Sequence, residues 1–267
     1  MRRRIIIAFI LFLIVAFIVA CATSPTGRRQ LAFFPTSEMN QMGVAAFEQI
    51  QEETPRSQDQ AKIRYVNCVT DALLAHVPRS HAGLDWNIVL FDDDAVNAFA
   101  LPGGKMGVYT GLLRVAENQH QLAAVIGHEI GHVIAEHGNE RMSTAYATGA
   151  GLQIVSVLGG ERTAQRDRMM GLLGLGAQFG IILPFSRTQE READIIGLDL
   201  MAEAGFNPEE SVSLWRNMAR ASGNGPPEFL STHPSSDTRI RDLTQHMPRA
   251  RSAYEKALEG GRRPQCD

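Results

Sequence analysis

The chain has 267 residues, with 26 basic side chains against 29 acidic ones, a net charge of −3 and 44% hydrophobic residues. No basic stripe marks a nucleic-acid binder, so no nucleic-acid partner is expected. The apolar content is enough for the core of one large domain or two small ones, and no internal repeat or low-complexity tract interrupts it.

Met1-Arg2-Arg3-Arg4 is basic, Ile5 to Ala20 carry no charge, and Cys21 follows. That is the layout of a secretory signal peptide, 1–20, and the apolar run falls short of the roughly 20 residues of a spanning helix. Ile18-Val19-Ala20-Cys21 resembles the bacterial lipobox, which implies a lipid anchor on Cys21. Ala22 in the next position resembles outer-membrane sorting. The expected location is the periplasmic side of the cell envelope, held by lipid to the outer membrane. Residues 21–34, rich in Ser, Thr, Pro, Gly and Arg, read as a tether. Residues 35–250 read as the folded domain and 251–267 as a C-terminal tail. Cys68 and Cys266 either pair in an oxidising compartment or stand as two free thiols, since sequence carries no distance between them.

Helical spacing runs from Ser37 to His76 through Met39, Met42, Phe47, Ile50, Ile63, Val66, Val69 and Leu73. A strand is expected at Asp85 to Phe91. Asn97 to Leu101 and Met106 to Tyr109 flank Gly103-Gly104 as a hairpin, and Gly111 to Ala116 reads as a short helix. Asn118 starts a longer helix, with Gln121 as its capping-box partner. Met142 to Leu183 is rich in Gly, Ala, Leu and Met and reads as a helical flap or a surface for lipid or unfolded chains. Further helices are expected at Arg187 to Ala204, Pro208 to Ala221 and Ser236 to Met247.

The long helix from Asn118 carries His128-Glu129-Ile130-Gly131-His132. Residues four apart lie about 40° from each other around a helix, so the two imidazoles share a face at a spacing suited to a tetrahedral zinc. Glu129 on the flank is placed to take a proton from water rather than to ligate. A catalytic zinc needs a third protein ligand. Glu190, in Glu190-Arg191-Glu192-Ala193-Asp194, is the candidate; it and Asp194 are four apart on a helix, so one can bind metal while the other accepts the spare N–H of a ligand imidazole. Glu192 points about 200° away from Glu190 on that helix.

Together, the His-Glu-Ile-Gly-His and Glu-x-Glu-Ala-Asp motifs resemble those of the HtpX-like and CAAX-prenyl-protease-type gluzincins, and among these the soluble periplasmic lipoprotein branch. Asn97-Ala-Phe-Ala-Leu-Pro-Gly-Gly104, Tyr109-Thr-Gly-Leu112, Ala204-Gly205-Phe-Asn-Pro208 and Ser231-Thr232-His233-Pro234 with Arg239 support the likeness, which covers about residues 35–247. It implies an α+β, mainly α-helical metallopeptidase domain with a small sheet, one Zn2+ per chain and protein substrates. It also implies His128, His132 and Glu190 as ligands, Glu129 as base and Asp194 behind the ligands. Family members with membrane-embedded catalytic domains carry several spanning helices, and this chain does not, which argues against a prenylated substrate.

His233 stands in the resemblance's Thr-His-Pro pattern, where it either steadies the oxyanion or latches onto the open zinc position. Arg239 either orients that loop or binds a substrate carbonyl. Asn97 to Leu101, with Asn97, Phe99 and Ala100 as candidate contacts, is expected at a sheet edge, where an extended substrate could pair with the main chain. His137 lies about 140° around the helix from His132 and reads as a surface or capping residue. His76, His81, His120 and His246 read as structural or solvent-facing. The expected function is endopeptidase turnover of unfolded or damaged envelope proteins. The alternatives are an assembly factor or chaperone that uses a zinc-held cleft for binding, and a hydrolase of cell-wall peptides.

Overall fold

The computed structural model describes residues 21–157, 185–221, 228–233 and 237–266. The expected signal segment 1–20, residues 158–184 of the Gly-rich stretch and Pro234 lie outside the described residues.

Where a tether was expected, the chain is folded. β1 (Cys21–Thr23) and β2 (Arg29–Leu31) pair antiparallel, and the Ser24 N–H donates to the Arg28 carbonyl at 2.8 Å across the turn. The hairpin is docked rather than loose. Buried Gln30 donates from Nε2 to the Ala135 carbonyl at 3.0 Å.

The helical spacing between Ser37 and His76 resolves into α1 (Thr36–Glu53) and α2 (Gln60–Leu74). Pro55 cannot continue a helix, and Asp59 starts the next one by accepting from the N–H groups of Ala61 and Lys62. After the short α3 (Arg79–Ala82) come β3 (Asn87–Phe91), β4 (Ala98–Leu101) and β5 (Lys105–Tyr109). The sheet order is β3-β5-β4, with β3 parallel and β4 antiparallel to β5. The hairpin turns on Gly103 and Gly104 at φ +82° and +77°, values that side chains resist. β4 therefore lies at the edge of this sheet. A 3-10 turn, Thr110–Arg114, follows.

In α4 (Gln119–Ile134), Asn118 accepts from the N–H groups of His120 and Gln121. Gln121 does not close the expected box on Asn118. Its Oε1 accepts from the Glu117 N–H at 3.0 Å, one residue earlier. α5 (His137–Val157) begins two residues after α4 ends, because Glu136 turns the chain at φ +52°. α6 (Arg187–Glu203) carries a full capping box between Ser186 and Gln189. It is followed by α7 (Glu210–Ala221), α8 (Glu228–Thr232) and α9 (Asp237–Glu259). α9 passes Met247, its expected end, and includes Pro248. Leu243, Met247, Ala250 and Ala257 are all buried on it, and that burial outweighs the proline's missing N–H. A Cys68–Cys266 disulfide, with Cα atoms 5.6 Å apart, joins the segment beyond α9 to α2, so the two thiols left open by sequence are paired.

The core is built around α4, whose Leu122, Val125, Ile126 and Ile130 are almost fully buried. α6 packs along α4, and α9 covers α6. The α4–α6 crossing is a backbone contact: a Cβ on Gly131 would lie 2.8 Å from the Ala193 carbonyl oxygen. A smaller core of Phe47, Phe91, Phe99 and Tyr109 joins α1 to the sheet. The result is an α+β, mainly helical domain with a small sheet, and no helix among the described residues is long and apolar enough to cross a membrane.

Candidate metal centre

The close α4–α6 crossing sets the carboxylate of Glu190 against the two imidazoles of α4. His128 Nε2 and His132 Nε2 are 3.0 Å apart. Glu190 Oε2 lies 3.5 Å from the first, and Glu190 Oε1 lies 3.4 Å from the second. His233, at the end of α8, brings Nδ1 to 3.2 Å from His128 Nε2 and 3.0 Å from Glu190 Oε1. All four side chains are buried.

These spacings fit a metal ion. Four donors at about 2.0 Å from a tetrahedral zinc are about 3.3 Å from one another, and the 3.0–3.5 Å separations among these nitrogens and the nearer Glu190 oxygens bracket that value. The donor chemistry agrees. Three imidazole nitrogens and a buried carboxylate converge. Burial alone would push Glu190 up, but His233, Arg239 and His128 more than offset this and hold it well below the usual carboxylate range. His132 is held well below its ordinary value by burial, which keeps it neutral as a ligand must be.

Glu129, also buried, lies to one side. Its Oε1 is 3.4 Å from His233 Nε2 and accepts no hydrogen bond, and the backbone of Ala100 on β4 faces the carboxylate. Burial raises its proton affinity above the ordinary glutamate value, which is the direction a general base near neutral pH needs. Behind the ligands, His128 Nδ1 lies 3.0 Å from Asp194 Oδ1. Arg239 grips both Asp194 oxygens at 2.7 Å, reaches Glu190 Oε2 at 2.5 Å and stacks 3.8 Å over the Trp215 ring. His233 is held between Phe185 and Phe229, stacked on each, and Phe185 also stacks on His132 with centroids 3.8 Å apart.

Thus the structure brings together His128, Glu129, His132, Glu190, Asp194, His233 and the backbone of Ala100. The side chains of Phe99 and Asn97 turn away from this centre, and Arg239 stands behind it. Phe99 points into the smaller core, its ring 6.1 Å from Phe91, because alternate residues of a strand face opposite sides. The buried Asn97 turns its Oδ1 back onto the Ala98 N–H. Arg239 is only 3% exposed, committed to two carboxylates and 3.5 Å from the His233 carbonyl through Nη1, which fits the first of its two expected roles, orienting the His233 loop, rather than meeting a substrate carbonyl.

His137 is the largest departure. Expected at the surface, it is fully buried, with Nδ1 2.8 Å from His132 Nδ1 and Nε2 3.2 Å from Glu192 Oε2. The expected angle assumed one continuous helix, whereas the left-handed Glu136 ends α4 and swings His137 beneath His132. No Gly or Pro at positions 135 or 136 signals the break. Among the other histidines, His120 accepts the Asn207 N–H at 3.2 Å, a structural contact as expected.

Fold and site together define a metallopeptidase. The chain belongs to peptidase family M48, whose profile matches residues 60–247. It is 39% identical over 174 residues to the mitochondrial metalloendopeptidase OMA1 of Schizosaccharomyces pombe, covering 64% of this chain and 50% of that protein. The OMA1 of Arabidopsis thaliana is 37% identical over 70% of this chain and 37% of its own length. The beta-barrel assembly-enhancing protease of Escherichia coli K12 is 31% identical over 82% of this chain and 46% of its own length. The chain thus spans half or less of the length of these relatives. Their names support the family and do not single out the HtpX-like or CAAX-type branch.

Proposed function

We propose that this chain is a zinc-dependent metalloendopeptidase on the periplasmic side of a bacterial cell envelope, lipid-anchored through Cys21 to the outer membrane, that hydrolyses unfolded or damaged envelope proteins. The observation that carries the reading is the set of donors from His128, His132, Glu190 and His233 at tetrahedral separations, with Glu129 beside them. The names of the relatives, metalloendopeptidases and an assembly-enhancing protease, support it. So does the Cys68–Cys266 disulfide, a bond that persists in oxidising compartments.

His128, His132 and Glu190 would hold the zinc. A bound zinc supplies acidified water and a polarised carbonyl at such a site. The chain's own groups do the rest. Glu129 accepts the proton of the attacking water and delivers it to the leaving amine. His128 donates its Nδ1–H to Asp194, which Arg239 keeps charged and oriented. An extended substrate would lie along the β4 edge at Ala100, in the cleft walled by Met39, Pro102, Val133, Arg141 and Phe185. His233 holds the fourth donor position and is the resting latch of the site.

The test is cleavage of a reduced, unfolded protein by the purified mature chain, with and without a chelator, followed by zinc add-back. Chelator-sensitive cleavage is the expected result. Binding of the unfolded protein without any cleavage would favour the assembly-factor reading instead.

A further inference from the structure

The carboxylate of Glu192 lies two residues from Glu190 and faces away from the metal site, yet it is almost as deeply buried. A buried carboxylate is stable only when its oxygens are supplied with donors. Here they come from the N-terminal hairpin. Thr26 donates from Oγ1 to Oε1 at 2.5 Å and Arg28 from Nε to Oε2 at 2.9 Å. The remaining donor is His137 Nε2, 3.2 Å from Oε2.

That arrangement fixes protons further in. Glu192 can only accept, so the proton of His137 lies on Nε2 and its Nδ1 is left as an acceptor. His137 Nδ1 is 2.8 Å from His132 Nδ1. His132 therefore donates from Nδ1, and its Nε2 lone pair is turned toward Glu190 and His128. Arg28 has a second grip: Nη1 and Nη2 reach the two oxygens of Glu140 on α5 at 2.5 and 2.7 Å. Glu140 in turn accepts from Gln189, the neighbour of Glu190, at 2.7 Å. Gln30 completes the clamp on the Ala135 carbonyl, just where α4 gives way to α5.

We infer that the hairpin of residues 21–31 is part of the metal centre, its Thr26 and Arg28 acting as positioning residues that hold His132 in its metal-binding tautomer through Glu192 and His137. The inference rests on His132 as a metal ligand, the reading proposed above. His128 has its carboxylate partner inside the domain, in Asp194, whereas the partner of His132 is assembled by a segment more than a hundred residues away along the chain.

The experiment uses the full mature chain, zinc alone as the probe, and a Thr26→Val, Arg28→Ala double variant. Zinc affinity is read by competition with a chromophoric chelator. The expected loss is about 10–100-fold, the scale for outer partners of metal ligands. Long-range nitrogen–proton correlations of the zinc-free protein read the imidazole tautomers. His132 should be a single Nδ1–H species in the unaltered protein and a mixture in the variant. Arg28→Lys, which cannot span Glu140 and Glu192 together, should restore only part of the affinity. A urea unfolding curve on each protein separates folding from positioning. Lower stability with unchanged affinity and tautomer would overturn the inference and leave the hairpin as packing. No zinc binding by the unaltered chain would overturn the ligand reading and this inference together, whereas equal binding by chain and variant would overturn this inference alone.

Discussion

Gly197 lies so close to the Gly127–His128 peptide that a methyl group on it would sit 2.7 Å from the His128 nitrogen. This contact fixes the distance between the two helices that carry the ligands, since His128 and His132 are on α4 and Glu190 is on α6. Gly197→Ala should force the helices apart, costing about 1–3 kcal/mol of stability and weakening zinc binding. Urea unfolding of the zinc-free variant and a chelator competition measure the two effects. A variant as stable as the unaltered chain would show that the crossing has slack.

Glu129→Gln removes the base and keeps the ligands. It should bind zinc with unchanged affinity and lose peptidase activity by at least the 10²–10⁴-fold typical of a lost acid–base group. Metal content and turnover are measured on the same preparation. Activity near the unaltered level would end the proposed role of Glu129.

Glu190→Ala and Glu192→Ala should both weaken zinc, but unequally. The first removes a carboxylate whose Oε2 lies 3.5 Å from His128 Nε2 and whose Oε1 lies 3.4 Å from His132 Nε2. The second only loosens His137, so its loss should stay within about 10–100-fold. A greater loss from Glu192→Ala would mean that the carboxylates are assigned the wrong way round.

His233→Ala tests the latch. On the proposed reading the Nδ1 of His233 takes the fourth donor position in place of water, so its removal should raise turnover on an unfolded protein. A fall of about 10²–10³-fold would instead mark an oxyanion donor. Turnover equal to that of the unaltered chain would leave only a packed imidazole between Phe185 and Phe229.

The Cys68–Cys266 disulfide closes a loop with a sequence separation of 198. Cys68→Ser should cost about 2–5 kcal/mol, read as a lower urea midpoint in the variant than in the oxidised parent. Adding reductant should lower the parent's midpoint to match and leave the variant unchanged. Identical midpoints before reduction would mean that packing alone holds the chain beyond α9.

Much of the centre was legible because helical period is a local property. The pairs His128/His132 and Glu190/Asp194 follow from spacing within a turn or so, and the helices carry those spacings unbroken, while the separate roles of Glu190 and Asp194 come from the family resemblance. His137 was not legible because the same reckoning was carried across Glu136, whose left-handed backbone nothing in its neighbours announces. The hairpin was hidden for a different reason. Ser, Thr, Pro, Gly and Arg are linker residues by composition, and their partners Glu140 and Glu192 lie 112 to 166 positions away. The Ala98–Leu101 stretch of the expected edge strand was legible from its residues, but the inward packing of the Phe99 ring and the turn of Asn97 onto the Ala98 N–H are set by partners that one strand's sequence does not name.

The hairpin starts at Cys21, and Thr26 at its turn already donates to Glu192. Three residues of strand reach only about 10 Å. On the proposed acylation of Cys21 the enzyme would ride on the bilayer like a plane on a board, without the slack to swing outward through the periplasm. Its working volume would be a shell about one protein diameter deep. Substrates would be selected first by arrival at the lipid surface and only then by fit to the cleft. Moving the acylated cysteine outward on a long flexible spacer would enlarge that shell while leaving the chemistry at Glu129 untouched.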